Sequence, residues 1–255
     1  MIPIEKISEI SRYINRYGAV SNFEIAYLAL DKNIECGLAD ERVKFFMQIF
    51  LNKPQNIMLP HLPYRVNFRE EALRYSVKPS TQCLINAYRR AAKLKREATT
   101  KIILKFLSSA GYSAFSAKDE IFAEKEDKGL NIKVCGSIEE LRMNFDYDIK
   151  KYGVMALPSG NNLQPFMDFY KKYADGIVKL GGTVWNVDLW SAEVSPFIRI
   201  PEPEMMREFE KCFGKPRLAS AINQLWQRDD YEKPAVEFKS GDNNISIKIG
   251  RVEFG

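Results

Sequence analysis

The segment from Lys93 to Pro158 constrains the fold more than any other part of this 255-residue chain. Its hydrophobic pattern predicts a helix, two strands, a second helix and a further strand, in that order. A carboxylate-bearing turn, Asp119-Glu120, lies ahead of a strand that carries Asn131-Ile132-Lys133-Val134. Strands that alternate with helices indicate an α/β domain, with a mixed sheet and helices on its faces.

The rest of the C-terminal pattern extends this domain. A long helix begins after Ser80-Thr81, which can cap it, and Gly111 ends it. A terminal hairpin is predicted from AVEFK and ISIKIGRVEF around the turn GDNN. The strands are predicted at 113–126, 130–136, 153–158, 183–190 and 193–200, and the helices at 81–108, 137–152, 163–180, 201–213 and 218–228.

The first 78 residues predict a separate, smaller module. Helices are expected at 4–17, 22–32 and 41–52, followed by a hairpin from NIMLP and YRVNF around a His-Leu-Pro turn. Three helices and a hairpin resemble a winged helix, which implies DNA contact through the third helix and the wing. Residues 77–80 are the predicted linker, so the domains are 1–78 and 79–255. The third helix carries the apolar side chains Phe45, Phe46, Met47, Ile49, Phe50 and Leu51, so dimerisation or docking, or a different helical fold, stays open.

Composition excludes several classes of chemistry. His61 is the only histidine and lies between two prolines, which argues against Ser-His-Asp and Cys-His catalysis. The chain has no GxxxxGK[ST] or GxGxxG motif, and its four cysteines are too far apart for a zinc site. No secretory signal or membrane span is predicted, so a cytoplasmic location is expected. The net charge of +5 is modest, and it is concentrated between Arg89 and Lys105.

The order of elements after Lys93 resembles the restriction-endonuclease-like superfamily, known by its PD-(D/E)XK motif. In that family the first helix supplies an acid, the second strand an aspartate, and the third strand an acid-x-lysine. The resemblance places these roles on Glu97, Asp119 and the triplet Asn131-Ile132-Lys133, and it covers about residues 90 to 200. The acids hold Mg²⁺, which activates a water that the lysine positions. Asn131 and Lys133 are expected on one face of their strand, because residues i and i+2 point the same way.

Position 131 departs from the family pattern, because an asparagine stands where the family has a carboxylate. An amide oxygen can ligate Mg²⁺ but brings no negative charge, which implies weaker metal binding. Glu120 or Glu124 can take the vacant role, and Lys118 replaces the proline before the aspartate. An active site would use Mg²⁺ held by Asp119 and Glu120. A degenerate nuclease fold, an active one, and another α/β fold without a site here all stay open.

The function favoured by these patterns is DNA binding without cleavage, in chromosome, plasmid or mobile-element biology. The expected partner is double-stranded DNA, with no membrane, and the expected assembly is a homodimer. One alternative is a Mg²⁺-dependent endodeoxyribonuclease that uses Glu97, Asp119, Glu120 and Lys133. Another is a structural dimerisation or assembly protein. The residues expected to contact phosphate lie on the long basic helix and are Arg89, Arg90, Lys93, Arg96 and Lys101.

Overall fold

The computed structural model describes residues 4–34, 37–38, 43, 62, 64–126, 128–143, 145–160, 162, 164–198, 236–239 and 246–249. The described helices are α1 (Ile4–Tyr17), α2 (Asn22–Ala29), α3 (Thr81–Ser109), α4 (Ile138–Met143), α5 (Phe145–Tyr152) and α6 (Gln164–Lys179). The strands are β1 (Ala19–Ser21), β2 (Tyr64–Phe68), β3 (Glu71–Tyr75), β4 (Ser113–Ala117), β5 (Glu120–Lys125), β6 (Lys128–Val134), β7 (Val154–Pro158), β8 (Thr183–Asp188), β9 (Glu193–Ile198), β10 (Val236–Lys239) and β11 (Ser246–Ile249). Among these helices, none has the length and apolar character that crossing a membrane would need.

A mixed, six-stranded sheet in the order β4-β5-β6-β7-β8-β9 forms the centre of the fold. The pairs β6–β7 and β7–β8 are parallel, and the other three pairs are antiparallel. The predicted α/β class with a mixed sheet and flanking helices is therefore confirmed. The predicted terminal hairpin is also present, since β10 pairs with β11. The helices predicted at 201–213 and 218–228 lie outside the described residues.

Helices cover both faces of this sheet, and alternation along β7 shows the two layers. Val154 and Ala156 face the larger core, which also contains α1, α2 and the apolar side of α3. Met155 and Leu157 face a second core built with α4, α5 and α6. Alternate residues of a strand point to opposite faces, so a strand buried on both sides is apolar throughout, as VMALP is.

The stretch 113–126, predicted as a single strand, is a hairpin of β4 and β5. Lys118 adopts a left-handed backbone with φ of 59° and turns the chain within two residues. Turns of this kind usually carry glycine or asparagine, and this one has Lys118 and Asp119 instead. The helix predicted at 137–152 corresponds to α4 and α5, with residue 144 between them outside the described residues.

The N-terminal strands form a small antiparallel sheet in the order β1-β3-β2. β2 (YRVNF) pairs with β3 at Glu71–Tyr75 through a turn at Arg69-Glu70, a pairing that the sequence pattern did not predict. Arg69 is also left-handed, with φ of 56°, and it again lacks the usual turn residue. NIMLP itself and the third helix predicted at 41–52 lie outside the described residues, apart from position 43.

Buried ion pairs join the N-terminal elements to α3. Lys95 and Glu71 form a pair in which each side chain is only 3% exposed, and Lys95 Nζ also donates to the Ser159 carbonyl over 3.2 Å. Glu24 is fully buried and accepts hydrogen bonds from Arg90 Nε over 2.6 Å and from the Tyr13 hydroxyl over 2.7 Å. A buried charge is costly unless it is paired. These pairs tie α3, which was predicted to begin the second domain, to elements of the first, so α3 contributes to the structure of both predicted domains.

The β2–β3 turn docks at the edge of the central sheet where β6 and β7 end. The buried carboxylate of Glu70 accepts hydrogen bonds from the Tyr88 hydroxyl over 2.8 Å and the Ile138 amide over 3.0 Å. Asn162, in the loop after β7, donates to the backbone carbonyls of Arg69 and Glu70. These contacts hold the turn at the carboxyl edge, where open α/β sheets commonly bind ligands.

Candidate functional site

Asp119 and Lys133, which the sequence predicts as site residues, are in direct contact. The β5–β6 register pairs Glu120 with Lys133 and places Asp119 beyond the end of β5. Lys133 Nζ donates to Asp119 Oδ2 over 2.8 Å, and the Val134 amide donates to the Asp119 carbonyl over 2.8 Å. The two-residue turn therefore fixes the backbone of Asp119 while its side chain meets the lysine.

Asp119 and Lys133 each stabilise the charged form of the other. Burial alone would raise the pKa of Asp119, but the hydrogen bond and charge of Lys133, assisted by Arg96, hold that pKa below its usual range. Burial alone would lower the pKa of Lys133, but Asp119 raises it. Asp119 is therefore ionised and Lys133 protonated at neutral pH, as a metal ligand and a water-positioning cation require.

Glu120 lies at the same end of the sheet but is held by other groups. Its carboxylate accepts hydrogen bonds from the Tyr152 hydroxyl over 2.5 Å and from Lys151 Nζ over 3.1 Å. These two hydrogen bonds lower the pKa of Glu120. Tyr152 also places its ring 5.5 Å from Lys133 Nζ, so α5 holds both members of the Glu120–Lys133 register pair.

Asn131 shares the face of Lys133 but lies one row farther from the sheet end. The register places it opposite Phe122, and its side chain is exposed. The position at which the resemblance led us to expect the second acid is therefore solvent-facing and neutral. Asn131 adds no charge to the Asp119–Lys133 pair.

Glu97 is not brought into this group, contrary to the expectation for the helix acid. It accepts a hydrogen bond from the Tyr27 hydroxyl over 3.3 Å and lies 3.7 Å from Lys101 Nζ. The helix α3 packs on the face of the sheet opposite Lys133, and Glu97 points from it towards α2. The apolar pattern placed Glu97 on the helix correctly but did not determine the direction of its side chain.

Asp148 on α5 is a carboxylate that sequence reasoning missed. Its residue is only 4% exposed and lies where α5 packs against β6. Burial raises the pKa of Asp148, the charge of Lys133 opposes this rise, and the carboxylate of Asp119 adds to it. The sequence FDYDIKKY has no motif that identifies Asp148 as a site residue. The packing of α5 against β6 is what brings Asp148 close enough for its charge to interact with Asp119 and Lys133.

The basic residues of α3 point in different directions. Arg90 donates to Glu24 and to the Ala19 carbonyl, and its guanidinium stacks 4.0 Å from the Tyr17 ring centroid. Arg96 donates to Glu140 over 2.5 Å, and Lys101 donates to the Lys32 carbonyl over 2.9 Å. Arg89, Lys93 and Lys101 are the exposed members of the predicted set, and Lys101 is held by its contact with the Lys32 carbonyl. The expected phosphate stripe is thus divided between three residues in structural contacts and the two exposed cations Arg89 and Lys93.

The oxygen donors at this end of the sheet suit a hard cation. Mg²⁺ is commonly held by one or two protein carboxylates and completed by water and substrate phosphates. Asp119 and Asp148 match that requirement in chemistry. Across the described ranges no group of three histidine, cysteine, aspartate or glutamate side chains converges as a metal site.

Replacing Asp148 by asparagine is expected to stabilise the fold at neutral pH. The raised pKa means that ionising this carboxyl costs stability above its folded-state pKa. Below the ordinary value of 3.8 the group is protonated in both states and the cost disappears. Asp148→Asn should therefore raise the free energy of unfolding at pH 7 by about 0.5–2 kcal/mol, with the gain fading on acidification. Urea denaturation at pH 7 and pH 4 measures both values.

Asp119→Asn is the matched control, and its sign is opposite. The lowered pKa of Asp119 contributes stability above its ordinary value of 3.8, and this contribution is lost as the pH falls through the folded-state pKa. The variant should therefore be less stable than the parent at pH 7. If Asp148→Asn also destabilised the protein at pH 7, Asp148 would be an ordinary structural carboxylate.

Comparisons with known proteins do not place the chain in a family. No family model matches the sequence, and no curated protein matches it.

Proposed function

We propose that this protein binds DNA through a restriction-endonuclease-like α/β domain and does not cleave it. The contact between Asp119 and Lys133 at the open end of β5 and β6 carries the proposal. Its support is the element order, since α3 is followed by three antiparallel strands, a helical region and a parallel strand. Asp119 immediately precedes the second of these strands, and Lys133 lies on the third.

The charge of the site favours binding over cleavage. The position expected to supply the second acid is the exposed, neutral Asn131, and Glu97 is turned towards Tyr27. Mg²⁺, if bound by Asp119 and Asp148, would supply Lewis-acid polarisation of a phosphate and activation of a water. Without a second acid on β6, the site is suited to neutralising a phosphate through Lys133 and a weakly held cation.

The N-terminal elements support a winged-helix-like module as part of the same proposal. The described order of helix, strand, helix and then a hairpin, with the strand order β1-β3-β2, supports this proposal, and the third helix predicted at 41–52 lies, apart from position 43, outside the described residues. The turn of the hairpin is engaged by Tyr88, Ile138 and Asn162. In this chain the wing therefore contributes to the interior, and DNA contact is assigned to Arg89 and Lys93 on α3.

A salt titration of DNA binding tests this proposal. Fluorescence anisotropy with a labelled duplex should give an affinity that falls steeply with salt, and Arg89→Ala with Lys93→Ala should reduce the log–log slope by about 2. Lys179→Ala, at the exposed end of α6, is the control and should leave both affinity and slope nearly unchanged. Salt-independent binding, or none at all, would exclude the proposal, and an unchanged slope in the double variant would exclude the assignment to α3.

A second candidate is a Mg²⁺-dependent endonuclease, which the position of Asp148 favours. The charges of Lys133 and Asp119 act on the pKa of Asp148, and this candidate assigns to Asp148 the role of the acid missing at position 131. This candidate predicts nicking of supercoiled plasmid with Mg²⁺ or Mn²⁺ that Lys133→Ala and Asp148→Asn each abolish. The first proposal predicts intact plasmid with every divalent metal tested, at protein concentrations that saturate the DNA.

A further inference from the structure

The two edges of the central sheet differ in how they are protected. The β9 edge contains Pro196, which has no amide hydrogen, and the charged Glu193, and its pairing with β8 has a register irregularity at Val184/Trp185. Prolines, charges and bulges are the usual devices that prevent one sheet edge from pairing with another. β4, at the opposite edge, has the sequence SAFSA, with no charge, no proline and no irregularity in its pairing with β5.

β4 also exposes an aromatic side chain. Phe115, at the centre of the strand, is 64% exposed and stacks on Phe122 of β5 with ring centroids 5.3 Å apart. In a chain with 28% charged residues, this edge strand carries no charge. Its outward backbone groups can pair with strands of other molecules and promote aggregation, unless a specific partner covers them.

The hairpin geometry decides which backbone groups of β4 are available. The two-residue turn makes Ala117 and Glu120 the closing hydrogen-bonded pair. Antiparallel pairs alternate, so the peptide groups of Ser113, Phe115 and Ala117 point to β5, whereas those of Ala114 and Ser116 point outwards. The outward groups are centred on Phe115, which is also the midpoint of the five-residue strand.

From these observations we propose that β4 pairs antiparallel with β4 of a second copy of this chain, about a two-fold axis at Phe115. A two-fold axis requires a self-complementary strand, and this register places Ala114 opposite Ser116 of the partner and Ser113 opposite Ala117. All four residues are small and uncharged, so no like charges meet. The two Phe115 rings meet at the axis and continue the stack on Phe122 into a row of four rings.

The pairing creates one continuous sheet with both candidate sites on the same face. Lys133 of each copy lies two strands inward from β4 and two residues along from the Phe115 row. Five strand spacings of about 4.8 Å and an offset of four residues of about 3.4 Å separate the two lysines by roughly 28 Å. The proposal does not depend on the proposed function, but if that function holds, one duplex can reach both sites.

Sedimentation velocity over a range of protein concentrations tests the proposal. The dimer should be weak and concentration-dependent, because two five-residue strands bury less than the ~1,200 Å² of a standard stable interface. Phe115→Lys sets two like charges opposite each other and should weaken the dimer by at least tenfold. Val77→Lys is the matched control, since it adds the same charge at a residue that is 78% exposed and outside β4.

Disulfide trapping identifies the surface independently of dimer strength. Facing residues of an antiparallel pair have the Cα separation that a disulfide needs, so Phe115→Cys should form a covalent dimer under mild oxidation, whereas Val77→Cys should not. Equal cross-linking of both variants would show random collision and overturn the proposal. A parent protein that stays monomeric, or a dimer that Phe115→Lys leaves intact, would overturn it as well, including the case in which another segment of the same chain covers β4.

Discussion

Lys95→Ala should lower the free energy of unfolding by about 3–5 kcal/mol, because it breaks an ion pair in which each side chain is only 3% exposed. The substitution leaves the Glu71 carboxylate buried without its counter-ion. Burial already raises the pKa of Glu71, and Lys95 opposes that rise. Removing the lysine therefore exposes the full cost of a buried charge.

Urea denaturation of three variants separates this explanation from a simple packing loss. Lys101→Ala removes a lysine from the same helix whose ion pair with Glu97 is roughly half exposed, and it should cost less than about 1 kcal/mol. Lys95→Met combined with Glu71→Leu removes both charges and should recover most of the stability. The loss in Lys95→Ala should also shrink below about pH 4.5, where Glu71 is protonated in both variant and parent. Equal losses for Lys95→Ala and Lys101→Ala would contradict a buried pair.

Gly136→Ala is the second substitution with a large expected effect. A Cβ at Gly136 would lie 2.1 Å from the Ala92 carbonyl oxygen and 2.7 Å from its carbonyl carbon, both backbone atoms of α3. No side-chain rotation relieves such a contact, so the helix or the β6–α4 connection must shift, at a cost of about 3 kcal/mol. Thermal unfolding measures this loss.

The same substitution should also disturb the candidate site. The Gly136 amide donates to Glu140 over 2.6 Å, and Glu140 in turn pairs with Arg96. Arg96 contributes to the low pKa of Asp119, so a shift at position 136 reaches the Asp119–Lys133 pair. Gly129→Ala is the control, because a Cβ there meets no atom within 4 Å. Equal unfolding temperatures for the two alanine variants would mean that the close approach of Gly136 to α3 does not limit substitution there.

Elements with a strong hydrophobic period were predictable from the sequence. The helix predicted at 81–108 is α3, and the apolar run at 153–158 contains the buried strand β7. Turns without a turn residue were not predictable. Lys118 and Arg69 both adopt positive φ without being glycine or asparagine. The β4–β5 hairpin was therefore predicted as a single strand, and the β2–β3 hairpin was not predicted.

The candidate site was predictable in part. Asp119 and Lys133 were expected together from the resemblance to the nuclease superfamily, and the β5–β6 hairpin brings them into contact. Glu97 and Asp148 depend on the direction in which a helix presents a side chain, which charge and spacing do not determine. Lys95 belongs to a run of cations that looks solvent-facing in the sequence, yet its partner Glu71 lies on a strand 24 positions earlier.

The docked β2–β3 turn has a consequence during synthesis. Glu70 finds its partner amide at Ile138, 68 positions later, and Arg69 finds Asn162, 93 positions later. At about 5–20 residues per second, a ribosome needs roughly 5–20 s to add those 93 residues. Until Ile138 and Asn162 have been added, Glu70 lacks the amide that it binds and the loop that holds its turn, so this part of the hairpin stays hydrated until the later part of the chain encloses it.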